Sequence, residues 1–194
     1  QTGENSVAEF YDKESGIALF VGNGGNVGIG IVTPQQQLDV SGNITCSGYM
    51  FYPNSIIQTV LMRYTPASHI STTSTSFVDA AETISITPKF SNSKIRIEFN
   101  SEMAHINSGS GVMYGNLQRK IGSGSYTTIT GGSYNWFYRD GYFWAPMTNV
   151  MIDTPNTTEI VTYKGQIKVN NSAYTGYWVH GNQGYCWTLQ EIKQ

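Results

Sequence analysis

Charge is scarce in this chain: Asp, Glu, Lys and Arg make up 12% of its 194 residues, about half the usual share of a globular domain. With a formal net charge of -2 there is no basic footprint for wrapping a polyphosphate backbone, so a nucleic-acid partner is not expected. No apolar run reaches the roughly 18 residues of a membrane span, and no charged-then-apolar leader opens the chain, so membrane insertion is not expected either. Because the chain begins at Gln1, residues upstream are expected to be missing. Cysteine is nearly absent. Cys46 and Cys186 lie far apart with no CxxC and no histidine pair beside them, which argues against a disulfide framework and a zinc site and predicts buried free thiols. The three histidines, His69, His105 and His180, lack any H-x-H spacing, so no metal and no cofactor is expected.

What the chain does have is Gly, Ser, Thr and Asn in abundance, with aromatics at 13%. β-Branched and aromatic side chains fill pleated surfaces while Gly and Asn supply turns, so the composition predicts an all-β fold without long helices. Three regions differ in kind. Residues 1–47 alternate short apolar pieces with glycine turns, and "LFVGN" at 19–23 recurs loosely as "LDVSGN" at 38–43. Units of that length bury an apolar face only on a neighbour, and two are too few to stack alone, so another copy of the chain is the expected neighbour. Residues 48–62 read as a neck whose apolar stripe, Ile56, Ile57, Val60 and Leu61, suits a helix or a strand. Residues 63–194 read as the head, and from Ser71 onward the period is two: 83–87, 94–100, 112–121, 126–129, 159–169 and 185–192 read as strands. Ile95, Ile97 and Phe99 share one face while Lys94, Arg96 and Glu98 share the other, as in a half-buried antiparallel sheet. Short strands between turn signals predict a β-sandwich, with a jelly roll as its expected version.

The glycines of residues 22–30 suggest a phosphate loop, and the spacing excludes one. From Gly22 and Gly24 a dinucleotide fingerprint needs glycine where Val27 stands, no lysine follows Gly28 or Gly30, and Pro34 stands where a helix needs to start. They are read as turn residues between very short strands.

The segment "GNVGIGIVTPQQQLDVSGNI", residues 25–44, resembles a recurrent shaft motif of tailed-phage fibre and tailspike proteins. "SIIQTV" at 55–60, "STTSTSFVD" at 71–79, "ITPKFSNSKIRIE" at 86–98, "DTPNTTEIVTYKGQI" at 153–167 and "WTLQEI" at 187–192 resemble, in that order, a domain that closes many phage tail-fibre proteins. The resemblance implies a homotrimer: an intertwined β shaft over 1–47, a neck, and a head that forms the receptor-binding tip of a virion tail fibre, assembled in the host cytoplasm and acting outside the cell. Candidate trimer contacts are Val27, Ile29, Ile31, Leu38, Val40 and Ile44 in the shaft and Ile56, Ile57, Val60 and Leu61 in the neck.

Aromatics are dense in "SYNWFYRDGYFW" and again in "NNSAYTGYWVHGN". Two readings stay open, core and trimer packing or a surface for a host glycan or protein receptor, since a flat ring offers a sugar large contact at low entropy cost. For the second, the candidates are Tyr134, Asn135, Trp136, Tyr138, Arg139, Asp140, Tyr142 and Trp144, with Tyr174, Tyr177, Trp178 and His180. A virion fibre without a dedicated receptor is the alternative, and a polysaccharide depolymerase a third reading. Catalysis is not expected: no G-x-S-x-G elbow exists, and Glu98 and Glu102 stand about 13 Å apart along a strand, too far for a glycosidase pair.

Overall fold

The computed structural model describes residues 6–12, 16–22, 24–47, 52–80, 82–107, 110–129, 137–140, 145–180 and 184–194. The described residues form strands and no helix, in two compact units, Gln1–Met50 and Phe51–Gln194.

In the first unit β1 (Ser6–Asp12), β2 (Gly16–Gly22) and β3 (Val27–Ile29) pair antiparallel in turn, and β4 (Leu38–Val40) adds parallel to β3. The glycines shape the chain, as their spacing predicts. Gly30 has φ of 69°, a left-handed backbone that a Cβ disfavours, and a Cβ on Gly28 would collide with the carbonyl oxygen of Ile31. These strands have almost no interior. Phe20 is the one apolar side chain buried among the unit's described residues, while Phe10, Ile29, Leu38 and Ile44 are 60, 45, 57 and 55% exposed. Val27, Ile31 and Val40 are half-buried. Cys46 is exposed and Cys186 half-buried, contrary to the expectation of buried thiols, because Cys46 lies in a unit with no core to receive it.

The second unit runs β5 (Ile56–Tyr64), β6 (Ile70–Thr72), β7 (Val78–Asp79), β8 (Ile84–Ile86), β9 (Lys94–Ile106), β10 (Val112–Ile121), β11 (Thr127–Thr128), β12 (Phe137–Asp140), β13 (Ala145–Asp153), β14 (Val161–Val169), β15 (Gly176–Val179) and β16 (Tyr185–Ile192). One sheet contains β5-β16-β9-β13, with β15 and β6 joined to the last residues of β9. The other contains β8-β14-β10-β12, with β7 also on β14 and β11 also on β10. This is the strand order of a jelly roll, two Greek keys folded into a sandwich. Period-two alternation aims Ile95, Ile97, Phe99, Trp187 and Leu189 of the first sheet at Met113, Leu117, Tyr163 and Ile167 of the second, and these form one buried core.

Of the segment expected to be a neck, residues 56–62 are strand, part of β5, which pairs antiparallel with β16 of the second unit. Strand alternation separates the side chains that a helix aligns on one stripe. Val60, opposite Leu189, packs on the core, whereas Leu61, opposite Thr188, points outward and is exposed. Ile56 is exposed and Ile57 half-buried.

One carboxylate ties the two sheets. Asp153 of β13 accepts hydrogen bonds from Arg119 Nη1 of β10 at 2.8 and 3.0 Å and from the Tyr163 hydroxyl of β14 at 2.8 Å. Burial and the Asp153 charge push the Tyr163 phenol far above its ordinary range. Asp153→Ala leaves the guanidinium and the hydroxyl unpaired inside the sandwich and is expected to cost about 3 kcal/mol, read as a lower urea midpoint at unchanged slope. Tyr163 stays protonated in the fold but ionises in the unfolded chain from about pH 10, so its contribution is complete below that pH and is lost as pH rises beyond it. Tyr163→Phe is expected to flatten the alkaline fall in stability, measured by urea unfolding between pH 9 and 11 (a range set about the ordinary phenol value).

Candidate functional site

The outer face of the second sheet is built by two adjacent strands, β10 and β14. Their inward positions are Met113, Leu117, Val161, Tyr163, Ile167 and Val169, so the intervening residues face outward. The register sets Tyr114 opposite Lys168, Asn116 opposite Gln166, Gln118 opposite Lys164, and Lys120 opposite Thr162. Asn116 Nδ2 donates to Gln166 Oε1 at 2.9 Å and to Thr128 Oγ1 at 3.2 Å, and Gln166 Nε2 donates to Asp79 Oδ1 at 2.9 Å. Lys164 Nζ donates to Asp79 Oδ2 at 2.9 Å and lies 4.1 Å from the centre of the Tyr126 ring. Burial opposes ionisation of Asp79, but the bonds from Lys164 and Gln166 outweigh it and hold its carboxyl below the usual range.

Two further lysines rest on rings. Lys120 Nζ lies 5.3 Å from the Tyr126 ring centre, and Lys168 Nζ lies 4.7 Å from that of Phe77 and 5.3 Å from that of Tyr114. Ring contact orders a flexible ammonium arm without neutralising it. The result is a row of cations and amides on a rigid sheet. Sequence reasoning missed it, although the alternation of Lys164, Gln166 and Lys168 in "YKGQIKV" carries the signal once that segment is known to be a strand with one face in solvent.

The aromatic-rich segments divide. Tyr134, Asn135, Trp136, Tyr142 and Trp144 lie outside the described residues. Tyr138, Arg139 and Asp140 belong to β12, whose backbone pairs with β10 and sets Tyr138 opposite Tyr114, at the edge of the lysine face. Trp178 is not a surface ring, contrary to expectation. It is fully buried, its ring 4.4 Å from that of Phe99, and it fills the space over Gly165, where a Cβ would lie 2.6 Å from the indole. A glycine inside the apolar strand "VTYKGQIKV" is the sequence sign of such a close approach. Tyr174 also packs against the core.

Tyr177 and His180 are half-buried, and their rings gather with that of His69. The centroids are 5.3 Å apart for His69 and Tyr177, 5.1 Å for Tyr177 and His180, and 4.3 Å for the two histidines. Tyr177 is also the backbone partner of His105. Burial, and then the charge of His69, lower the pKa of His180.

Four of the head's described carboxylates are engaged in holding the fold. Glu191 accepts from the backbone N–H groups of Lys89 and Phe90 and from Gln58, Glu98 pairs with Arg96 and Asn100, and Asp79 and Asp153 have the partners given. On the outer face of the first sheet, an open groove is lined by Leu61, Arg63, Asn100, Pro146, Thr148 and Cys186.

No family model matches the chain. No curated protein matches it in sequence. Among solved structures it is distantly similar to the infectious bursal disease virus Gx strain structure, at 12% identity and a TM-score of 0.44 over 78% of this chain and 38% of that one. It is similar to the VP2 subviral particle of infectious bursal disease virus at 10% identity and a TM-score of 0.43, over 78% of this chain and 37% of that one. The chain thus spans less than two fifths of the length of either. The tripod (BppUct-A-L) from the baseplate of bacteriophage Tuc2009 is similar at 11% identity and a TM-score of 0.31, over 84% of each chain.

The placement of Trp178 predicts how two neighbouring rings differ. Trp178→Ala is expected to lower stability by about 3–5 kcal/mol, read from the denaturation midpoint, whereas Tyr177→Ala at a half-buried ring is expected to cost much less.

Proposed function

We propose that the chain is one subunit of a homotrimeric viral attachment fibre, a virion component whose head binds a host-surface glycan or protein without modifying it. The observation that carries this reading is the first unit's lack of an interior. A four-stranded sheet that buries Phe20 and leaves Phe10, Ile29, Leu38 and Ile44 exposed removes too little apolar surface from water to offset the cost of ordering its backbone. Copies of the same chain provide the missing cover, and the likeness of residues 25–44 to phage shafts favours three. Exposed Leu61, Val150 and Ile152 on the outer face of the head's first sheet supply apolar contacts of the same kind.

A trimer also explains how a shallow surface suffices for attachment. Three copies on one tip raise the effective affinity by about 10²–10⁴ through avidity alone, so no deep pocket is required.

Light scattering of the purified chain is expected to return three times the subunit mass, and a lone subunit with a stable first unit overturns the reading. Ile29→Asp with Leu38→Asp buries charge at the proposed contacts and is expected to yield single subunits. Labelled wild-type chain is expected to bind cells within a panel of bacterial hosts, with the dissociated variant weaker by about a hundredfold from lost avidity.

A further inference from the structure

We infer that the outer face of the second sheet binds a linear anionic polysaccharide laid along β10 and β14, with Lys168 and Lys120 holding its acidic groups and the half-buried amides of Gln118 and Gln166 reading the hydroxyls between them. The inference rests on the attachment reading and names the chemistry of the receptor.

Charge first sets this face apart. The chain carries a formal net charge of -2 with 11 basic residues against 13 acidic ones, yet among the described side chains this face presents Lys120, Lys164 and Lys168 with one bonded carboxylate, Asp79. Asp79 is matched by Lys164. Among the described residues neither Lys120 nor Lys168 is paired with a carboxylate, so two ammonium groups remain for a ligand.

Preorganisation is the second argument. A surface lysine normally loses several rotamers on binding, but here Tyr126 holds one ammonium and Phe77 with Tyr114 holds the other. The sheet beneath them is fixed by the Asn116–Gln166–Asp79 hydrogen bonds.

Spacing selects the ligand. Lys168 lies opposite Tyr114, six residues along β10 from Lys120, so the two cations stand roughly 20 Å apart at the usual strand rise. Double-stranded nucleic acid offers a charge every ~1.7 Å of its axis and is met by dense basic surfaces. Two separated cations with neutral amides and the exposed Thr128 hydroxyl between them match a linear acidic polysaccharide such as a polyuronate, in which some carboxylates meet the lysines while ring hydroxyls meet the groups between.

The test uses the purified full chain and immobilised alginate, a polyuronate, with dextran as the neutral arm and single-stranded oligothymidylate as the nucleic-acid arm. Expected results are binding to alginate that weakens as salt is raised from 50 to 500 mM, as screening requires, and little binding to dextran. Lys120→Gln with Lys168→Gln is expected to lower alginate binding at least tenfold at an unchanged melting temperature, and Lys120→Arg with Lys168→Arg to retain it. Equal binding to dextran, tighter binding to the oligonucleotide, an unaffected Gln variant, or no alginate binding overturns the inference. Trimeric mass and cell binding are read separately, so failure here alongside a cell-binding trimer removes the acidic-glycan face and leaves the fibre standing.

Discussion

The head depends on one strand being hydrogen-bonded along both edges. β16 lies between β5 and β9, so the last strand of the chain closes against the first strand of its unit. That register is pinned chemically. Trp187 and Leu189 point into the core and alternate with Thr188 and Gln190, and a slip of one residue would invert them all. Glu191 strengthens the constraint, because its fully buried carboxylate accepts from Lys89 N–H at 2.8 Å, Phe90 N–H at 3.2 Å and Gln58 Nε2 at 2.6 Å. In any other register a buried charge would lose its donors, which is costlier than losing a hydrophobic contact.

Strands whose two faces differ in polarity were legible in the sequence. Lys94, Arg96 and Glu98 alternate with Ile95, Ile97 and Phe99 because the first face meets water and the second meets the opposite sheet, and the same alternation marks 112–121 and 185–192. Residues 145–153 were not marked, since Val150 and Ile152 leave their outward side apolar and blur the period. Trp178 was misread for a related reason. Its neighbours Gly176 and Tyr177 suggest a loop, and only the pairing of β15 with β6 and β9 turns the indole inward over Gly165. The lysine face and the histidine cluster were illegible because each is assembled from distant strands, and single-sequence periodicity reports which side a residue faces without reporting its neighbours.

The two units distribute apolar surface in opposite ways. The head encloses its large side chains between two sheets and crosses the gap with a satisfied Arg119–Asp153–Tyr163 network, so it holds a complete core by itself. The first unit satisfies backbone hydrogen bonds through its four strands, yet leaves its aliphatic residues exposed. Backbone pairing alone contributes too little net free energy to order such a segment, since the unfolded chain finds equivalent partners in water. In the proposed trimer, association would therefore act on the two units differently, completing the first and only arranging copies of the second.

The sandwich also presents two outer faces of unlike chemistry. Leu61, Val150 and Ile152 place apolar surface on the first sheet's exterior beside the ion-paired Arg96 and Glu98, whereas Lys120, Lys164, Lys168 and their amide neighbours make the second sheet's exterior polar and cationic. Stacking copies through the cationic face would oppose like charges and strip water from amides, while stacking through the first sheet would remove the exposed apolar surface of Leu61, Val150 and Ile152 from water. In the proposed trimer, assembly through the first sheet would leave the second in solvent in every subunit, and the polar face would be repeated around the assembly by the same difference in hydration that favours association.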